Sequence, residues 1–200
     1  VDMYAKCGFL QKAQEQHFQL LVRDVVSWNA LIAMYARERK VHDTLISIRR
    51  MQCEGLSPDV ITFTSALIAC SGAGAINTGK QVHNEIVIKN LLEKNMELCN
   101  ALVDMYTKCG ALTKAKQVLL HELQARNVVT WNTLISGYAR EGQGQEALNC
   151  FEQMRREGIS PDAISLLCIL KVFSQTRLYE AQLYFKKMSG EYGITTNLEH

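Results

Sequence analysis

Apolar side chains recur along the chain at the spacing of half-buried helices. In the segment that starts at Val25, Trp28, Leu31, Ile32 and Tyr35 follow the i, i+3, i+4, i+7 pattern that gathers them on one helical face. No alternation with a period of two residues, the mark of strands, is sustained anywhere. The chain has only two prolines, and both lie between predicted helices. The pattern predicts an all-α protein.

The same pattern returns about one hundred residues later. Segment 128–162 repeats segment 25–59, with Trp28 matched by Trp131 and Asn29 by Asn132, and the opening VDMYAKCG recurs as VDMYTKCG. Self-similarity of this kind is the mark of stacked helix–turn–helix repeats. We therefore expect a right-handed α-solenoid whose concave face is lined by the first helix of each repeat. The predicted repeats cover 25–59, 60–95, 96–127, 128–162 and 163–197, with the end of an earlier repeat at 1–24 and the start of a later one at 198–200.

Composition narrows the possible classes of function. The chain is 48% hydrophobic and 21% charged, which excludes a disordered tail. Its net charge of +2 is too small for nucleic-acid binding through overall charge, so any basic patch must be local. Seven cysteines without a C-x-x-C pair predict reduced, mostly buried thiols rather than a disulfide framework. No apolar run reaches the roughly 18 residues of a membrane helix, so no membrane association is expected.

No catalytic signature is complete in the sequence. His83-Asn84-Glu85 matches the H-x-E of zinc deaminases, but that signature also requires P-C-x-x-C, which the chain lacks. His83 is therefore expected to be an ordinary helix residue. Phosphate-binding loops, nucleophile elbows and H-E-x-x-H are absent as well. We expect a binding module without enzymatic activity, cofactor, metal or small-molecule substrate.

Three stretches carry a family resemblance: VVSWNALIAMYAR, NALVDMYTKCGALTKAKQV and YGITTNLEH. With their alternating repeat lengths, they make the whole chain resemble the PLS subclass of pentatricopeptide repeat proteins, as a piece of a longer array. Under this resemblance 25–59 and 128–162 are P-type repeats, 60–95 and 163–197 are L-type, and 96–127 and the partial 1–24 are S-type. The alternative is the tetratricopeptide repeat, a protein-binding scaffold. That repeat has a glycine where Ile32 and Ile135 stand, and its period of 34 residues is constant.

The resemblance implies binding of single-stranded RNA, one base per repeat, read by the fifth and last residues of the repeat. The implied base-reading pairs are Asn29 with Asp59, Thr64 with Asn95, Asn100 with Asn127, and Asn132 with Asp162. The pair Leu167 and Asn197 departs from the family's pattern and should read little. The expected base preference is U, A, a pyrimidine (C over U), then U. The resemblance further implies a mitochondrial or chloroplast targeting array of a C-to-U editing or RNA-processing factor, with editing cofactor proteins as additional partners.

Side-chain chemistry permits two interpretations of these positions. An Asn amide presents a donor and an acceptor that match uracil, and an Asp can hold that amide in one orientation. Each repeat, however, also ends in Asp or Asn directly before an apolar helix, where these residues are favoured N-caps. From the residues alone, base reading and helix capping both stay open.

Two further periodic features accompany the base-reading positions. Apolar residues at the second position of a repeat could wedge between bases or simply pack; they are Val26, Ile61, Val129 and Ile164, with Glu97 as the exception. Basic residues recur near the end of the first helices and are expected to contact phosphates; they are Lys6, Arg37, Lys108 and Arg140. Cations at helix C-termini also complement the helix dipole, which is the alternative interpretation. Trp28 and Trp131 are expected in the core.

Overall fold

The computed structural model describes residues 10–93, 95–123 and 126–175. Every regular element in these ranges is a helix, which confirms the all-α prediction. The chain divides into an N-terminal body, Val1–Arg126, and a C-terminal body, Asn127–His200. Within the described ranges, no helix combines the length and apolar character needed to cross a bilayer.

The helices come in pairs joined by short turns. The N-terminal body contains α1 (Leu10–Phe18), α2 (Val25–Arg37), α3 (Val41–Cys53), α4 (Val60–Ala73), α5 (Ile76–Ile88), α6 (Met96–Lys108) and α7 (Leu112–Gln117), the last continued by a π-helical turn at Val118–Glu122. The C-terminal body contains α8 (Val128–Arg140), α9 (Gly144–Arg156) and α10 (Ala163–Gln175). Helices α2, α4, α6, α8 and α10 are the first helices of their repeats. Each of them begins directly after an Asp or Asn.

Within each body, first helices pack on their own second helix and on the first helix of the following repeat. In the N-terminal body α2 contacts α3 and α4, and α4 contacts α5 and α6; in the C-terminal body α8 contacts α9 and α10. The predicted apolar stripe makes these contacts, since Trp28, Leu31 and Ile32 are at most 1% exposed. Burying one such side chain contributes roughly 1.5–3 kcal/mol. Stacking, more than helix propensity, therefore stabilises these helices.

A residue in the left-handed conformation follows the first helix in the four repeats where the structure describes this turn. Gly74 takes φ +66° after α4, and the N–H of Ala75 donates to the carbonyl of Cys70, as in a glycine C-cap. Arg39 holds the equivalent position after α2 with φ +56°. This conformation costs an L-residue roughly 1–2 kcal/mol, so the turn after α2 is a strained variant of the glycine turns.

Two helix ends differ from those predicted. Helix α1 was expected to run to about Leu21, but it ends at Phe18. Leu21 and Val22 are almost fully exposed, so a further turn would find no apolar surface to pack against. A turn was expected around Gly72 and Gly74 together, but Gly72 lies inside α4 because Gly74 alone supplies the left-handed residue.

The described cysteines are free thiols. Cys70, Cys99 and Cys150 are buried, Cys109 and Cys168 are half-buried, and Cys53 is exposed. Burial raises the pKa of Cys70 to about 11. Cys7 lies outside the described residues. The buried thiols therefore behave as small apolar side chains.

Candidate nucleic-acid interface

Asn29, the fifth residue of its repeat, is tied to the start of the next first helix. Its Nδ2 donates to both carboxylate oxygens of Asp59, at 3.0 and 3.1 Å, and its Oδ1 accepts from the Thr62 hydroxyl at 2.6 Å. Asp59 in turn caps α4 by accepting from the backbone N–H of Thr62 at 2.9 Å. One carboxylate thus caps a helix and holds the Asn amide, so the two interpretations left open by the sequence are compatible.

The same arrangement recurs in the C-terminal body. Asn132 Nδ2 donates to Asp162 Oδ1 at 2.8 Å, and Asn132 Oδ1 accepts from the Ser165 hydroxyl at 2.5 Å. Asp162 accepts from the backbone N–H of Ser165 at 2.8 Å and so caps α10. Asn132 and Asn29 are both only 6% exposed. Each amide is therefore held firmly between two first helices and presents only a narrow polar edge.

The remaining hydrogen-bonding capacity of Asn132 suits a base. An Asn side chain has two N–H donors and two acceptor lone pairs. Asp162 takes one donor and Ser165 takes one lone pair, which leaves one donor and one acceptor of the amide for a ligand. Burial raises the pKa of Asp162, but hydrogen bonds from Ser165 and Asn132 outweigh it and leave this pKa below its ordinary value. The carboxylate is therefore ionised at neutral pH and accepts hydrogen bonds only.

The predicted pair Thr64 and Asn95 is not joined in this way. Asn95 Nδ2 donates to the backbone carbonyl of Leu91 at 2.7 Å, and the Asn95 side chain does not cap α6. The Thr64 hydroxyl oxygen is buried and has no hydrogen-bond partner in the part of the chain that the structure describes. Leu98 stands where the other repeats have Thr62 or Ser165 and offers no hydroxyl group.

Asn100 and Asn127 belong to different bodies. Asn100 lies in α6 of the N-terminal body, and its Oδ1 is a buried atom without a hydrogen-bond partner among the described residues. Asn127 caps α8 of the C-terminal body by accepting from the backbone N–H of Thr130 at 2.9 Å. Asn127 therefore serves as an N-cap in the same manner as Asp59 and Asp162.

The apolar second residues are exposed rather than packed. Half to three quarters of each side chain is accessible to solvent, namely 74% for Val26, 59% for Ile61, 50% for Val129 and 58% for Ile164. This exposure leaves much of each side chain free of packing contacts. Large apolar side chains repeated at one exposed position per repeat are available to contact a ligand. Trp28 and Trp131 are buried and so belong to the core, as predicted.

The predicted basic row is exposed and carries acidic neighbours. Arg37 and Arg140 lie exposed in the last turn of α2 and α8, and Arg140 Nε is 3.6 Å from Glu141 Oε1. Lys108 Nζ lies 2.9 Å from Asp104 Oδ2, one helical turn earlier. Lys6 lies outside the described residues. Binding of phosphate by Lys108 would therefore compete with an existing ion pair.

His83, which the sequence suggested is an ordinary residue of a helix, lies in α5 and makes two polar contacts. It is buried, with Nδ1 2.9 Å from the Tyr106 hydroxyl and Nε2 2.8 Å from Glu122 Oε2. Burial lowers the pKa of His83 and raises the pKa of Tyr106 to about 12. In the described ranges no three His, Cys, Asp or Glu side chains are grouped so that they could hold a metal ion. His83 therefore connects α5 to α6 as a packing residue.

Sequence reasoning missed the hydroxyl residues Thr62 and Ser165. Both lie at the third position of a first helix, three residues after the capping Asp. The pattern D-x-x-S/T, a variant of the capping box, could have pointed to their role in capping. It could not have shown their contact with an Asn of the preceding repeat, which is 33 residues away.

Comparison with known proteins places this architecture in a family. The model of the PPR repeat family matches residues 23–72 and 126–175, which together make half of the chain. The chain belongs to the PPR repeat family. This membership confirms the pentatricopeptide resemblance over the tetratricopeptide alternative.

Relatives and solved structures agree with this membership. A putative pentatricopeptide repeat-containing protein of Arabidopsis thaliana is 36% identical over 195 residues, covering 97% of this chain and 32% of the relative. Another from the same plant, named mitochondrial, is 33% identical over 221 residues, covering 100% of this chain and 24% of the relative. The chain thus spans a third or less of these proteins.

Among solved structures, the pentatricopeptide repeat protein PPR10 from maize is similar with a TM-score of 0.80 and 22% identity, over 98% of this chain and 29% of that one. PPR10 in complex with an 18-nt psaJ RNA element matches with a TM-score of 0.72 and 21% identity, over 95% of this chain and 28% of that one. These likenesses confirm the predicted fold of stacked helix–turn–helix repeats.

Proposed function

We propose that this chain is a sequence-specific, single-stranded RNA-binding array of the PLS subclass. Its P-type repeats are 25–59 and 128–162, its L-type repeats 60–95 and 163–197, and its S-type repeats 96–127 and the partial 1–24. The observation that carries the proposal is the geometry of Asn29 with Asp59 and of Asn132 with Asp162, where a carboxylate orients a nearly buried amide. The RNA complex of PPR10, a protein of the same fold, supports it.

The two hydrogen-bonded pairs, Asn29 with Asp59 and Asn132 with Asp162, have side-chain chemistry suited to recognising uracil. Uracil offers an N–H donor beside a carbonyl acceptor, and an oriented Asn offers the complementary acceptor and donor. Asn100 with Asn127 should prefer a pyrimidine, C over U, because an amide at the last position can donate as well as accept. Thr64 with Asn95 should favour A only weakly, because its two side chains are not joined.

The remaining exposed residues have supporting roles in this proposal. Val26, Ile61 and Val129 contact the faces of neighbouring bases, which suits their repeated exposure. The basic side chains contact phosphates and contribute affinity without base preference. They are Lys6, Arg37, Lys108 and Arg140.

In the cell, the array would direct an organellar RNA-editing (C-to-U) or RNA-processing factor to its site, in the mitochondrion or the chloroplast. The mitochondrial names of some relatives support the organellar address. Editing cofactor proteins would be further partners. The array itself supplies recognition and no catalysis.

The decisive experiment compares two substitutions in one repeat by fluorescence anisotropy with short RNA oligomers at several salt concentrations. Asn132→Thr beside Asp162 should move one base preference from U toward G and leave the salt dependence unchanged. Each base match is worth about 1–3 kcal/mol, by analogy with base readout in DNA. Arg140→Ala should weaken binding to all oligomers alike and flatten the log–log salt slope by about 0.7.

Two variants on the second helix of the same repeat serve as matched controls. Asn149→Thr and Arg156→Ala make the same chemical changes at exposed positions of α9, and neither should alter base preference or salt slope. If Asn132→Thr lowers binding equally for U- and G-bearing oligomers, the asparagine is structural and the assignment of this pair is wrong.

A further inference from the structure

We infer that the hydroxyl residue at the third position of a first helix, Thr62 or Ser165, is a specificity-determining positioning residue for the Asn of the preceding repeat. It fixes which end of the amide faces the base and so separates uracil from cytosine. The inference rests on the proposed base-reading role of Asn29 and Asn132.

The hydrogen bonds around the hydroxyl assign its proton. Ser165 Oγ accepts from the backbone N–H of Asp162 at 3.2 Å, and its single proton then has two acceptors within reach. Asn132 Oδ1 lies at 2.5 Å and Asp162 Oδ1 at 2.9 Å. Asp162 Oδ1 already accepts from the Ser165 backbone and from the Asn132 amide. The proton is therefore directed to the shorter contact, the carbonyl oxygen of Asn132.

The N-terminal body shows the same geometry with threonine in place of serine. Thr62 Oγ1 accepts from the Asp59 N–H at 3.2 Å and lies 2.6 Å from Asn29 Oδ1, against 2.9 Å from Asp59 Oδ1. Two hydroxyl residues in separate bodies thus make the same contact with the preceding repeat. The methyl group of threonine does not disturb it.

These bonds lock the amide against a flip. Rotation by half a turn would place the carbonyl oxygen of Asn132 against the carboxylate of Asp162, which only accepts, and would break the hydrogen bond from the Ser165 hydroxyl to that oxygen. Uracil presents an N–H next to a carbonyl oxygen, whereas cytosine presents a ring nitrogen acceptor next to an amino group. The two bases therefore require opposite amide orientations. An amide with one orientation accepts one pyrimidine and rejects the other.

The hydroxyl acts only through the asparagine. Thr62 and Ser165 are completely buried, so neither can touch a base. In α6 the third position is occupied by Leu98, which has no hydroxyl group. The contacts around it differ from those around Thr62 and Ser165. There Asn95 bonds to a loop carbonyl, and the Thr64 hydroxyl has no hydrogen-bond partner among the described residues.

The test is Ser165→Ala in the full chain, measured as the U-over-C affinity ratio at the single RNA position read by Asn132. Loss of one hydrogen bond that distinguishes the two orientations should lower this ratio about threefold to tenfold. Ser165→Thr should preserve the ratio, since Thr62 performs the same task. The readout is a ratio at one base, which a general loss of stability does not move.

Ser27→Ala is the matched control. Ser27 has the same capping bonds, accepting from the Asp24 N–H at 3.0 Å and donating its own N–H to the Asp24 carboxylate at 2.8 Å. Its hydroxyl donates to the backbone carbonyl of Asp24 at 2.9 Å instead of to an Asn side chain. Both alanine variants should lower the melting temperature, but only Ser165→Ala should change the ratio.

Two results would overturn the inference. The first is an unchanged U-over-C ratio in Ser165→Ala; the second is an equal change in Ser27→Ala. If Ser165→Ala does not fold, Thr62→Val is measured at the position read by Asn29, with the same expectation and the same refutation. If the unmodified chain shows no base preference at either position, the proposed function itself fails and this inference fails with it.

Discussion

Replacing Asp104 with Asn should strengthen RNA binding, because it releases Lys108 for the phosphate backbone. The Lys108 and Asp104 side chains are 51% and 32% exposed, with Nζ and Oδ2 2.9 Å apart. An exposed pair of this kind is worth roughly 0–1 kcal/mol. Releasing the lysine should therefore raise affinity at most about fivefold. The Ser71 hydroxyl lies 3.2 Å from Asp104 Oδ2 and can still donate to the amide oxygen of an asparagine at this position. The fold should therefore tolerate the change.

The assay is anisotropy titration of a short RNA oligomer over a range of salt concentrations. A fully engaged Lys108 should steepen the log–log salt slope by about 0.7. Glu85→Gln is the matched control, since it makes the same change in net charge at an exposed position of the second helix α5. Asp104→Asn should have no effect once Lys108 is replaced by alanine. An equal gain from Glu85→Gln, or a gain that survives Lys108→Ala, would show that overall charge is responsible and that Lys108 contacts no phosphate.

Three further predictions concern stability and reactivity. Gly79→Ala should destabilise the chain in urea unfolding, because the new Cβ would lie 2.7 Å from Cε of the fully buried Met105, and overpacking costs about 1–3 kcal/mol. Gly72→Ala, whose Cβ would lie 2.9 Å from Cγ of the Arg39 side chain, should destabilise less, because an exposed arginine can shift and alanine gains up to about 1 kcal/mol of helix propensity. The pKa of Asp162 is lowered in the folded state, so its carboxylate form stabilises the folded chain. This contribution to the free energy of unfolding should be complete above about pH 4 and disappear as the pH falls through the folded-state pKa. In an acid-unfolding experiment, the Asp162→Asn variant should not show this pH-dependent loss of stability. The thiol of Cys70, with a pKa raised to about 11, should resist iodoacetamide at pH 8 until denaturant is added.

Local features of the fold were predictable from the sequence. The cap at Asp24 and the apolar stripe that begins at Trp28 both act within one helix, so helix positions follow from neighbouring residues. The contact of Thr62 with Asn29 was not predictable, because it depends on how two first helices stack across a whole repeat. Asn95 illustrates the same limit. It resembles the other repeat ends in sequence, yet its side chain bonds to a loop carbonyl instead of capping α6.

Under the proposed function, helix capping restricts which residues can take part in base reading at the end of a repeat. Asp59 and Asp162 use one carboxylate both to cap a helix and to orient an amide, so alanine at either position would remove both functions. Asn127 shows that Asn can replace Asp without loss of the cap, because its amide oxygen accepts from the backbone N–H three residues later, at 2.9 Å. Asp and Asn are nearly identical in shape and differ in whether the second terminal atom accepts or donates. Variation at this position can therefore change the polarity presented to a base without loss of the cap, whereas residues that cannot cap would first destabilise the following helix by about 0.5–2 kcal/mol.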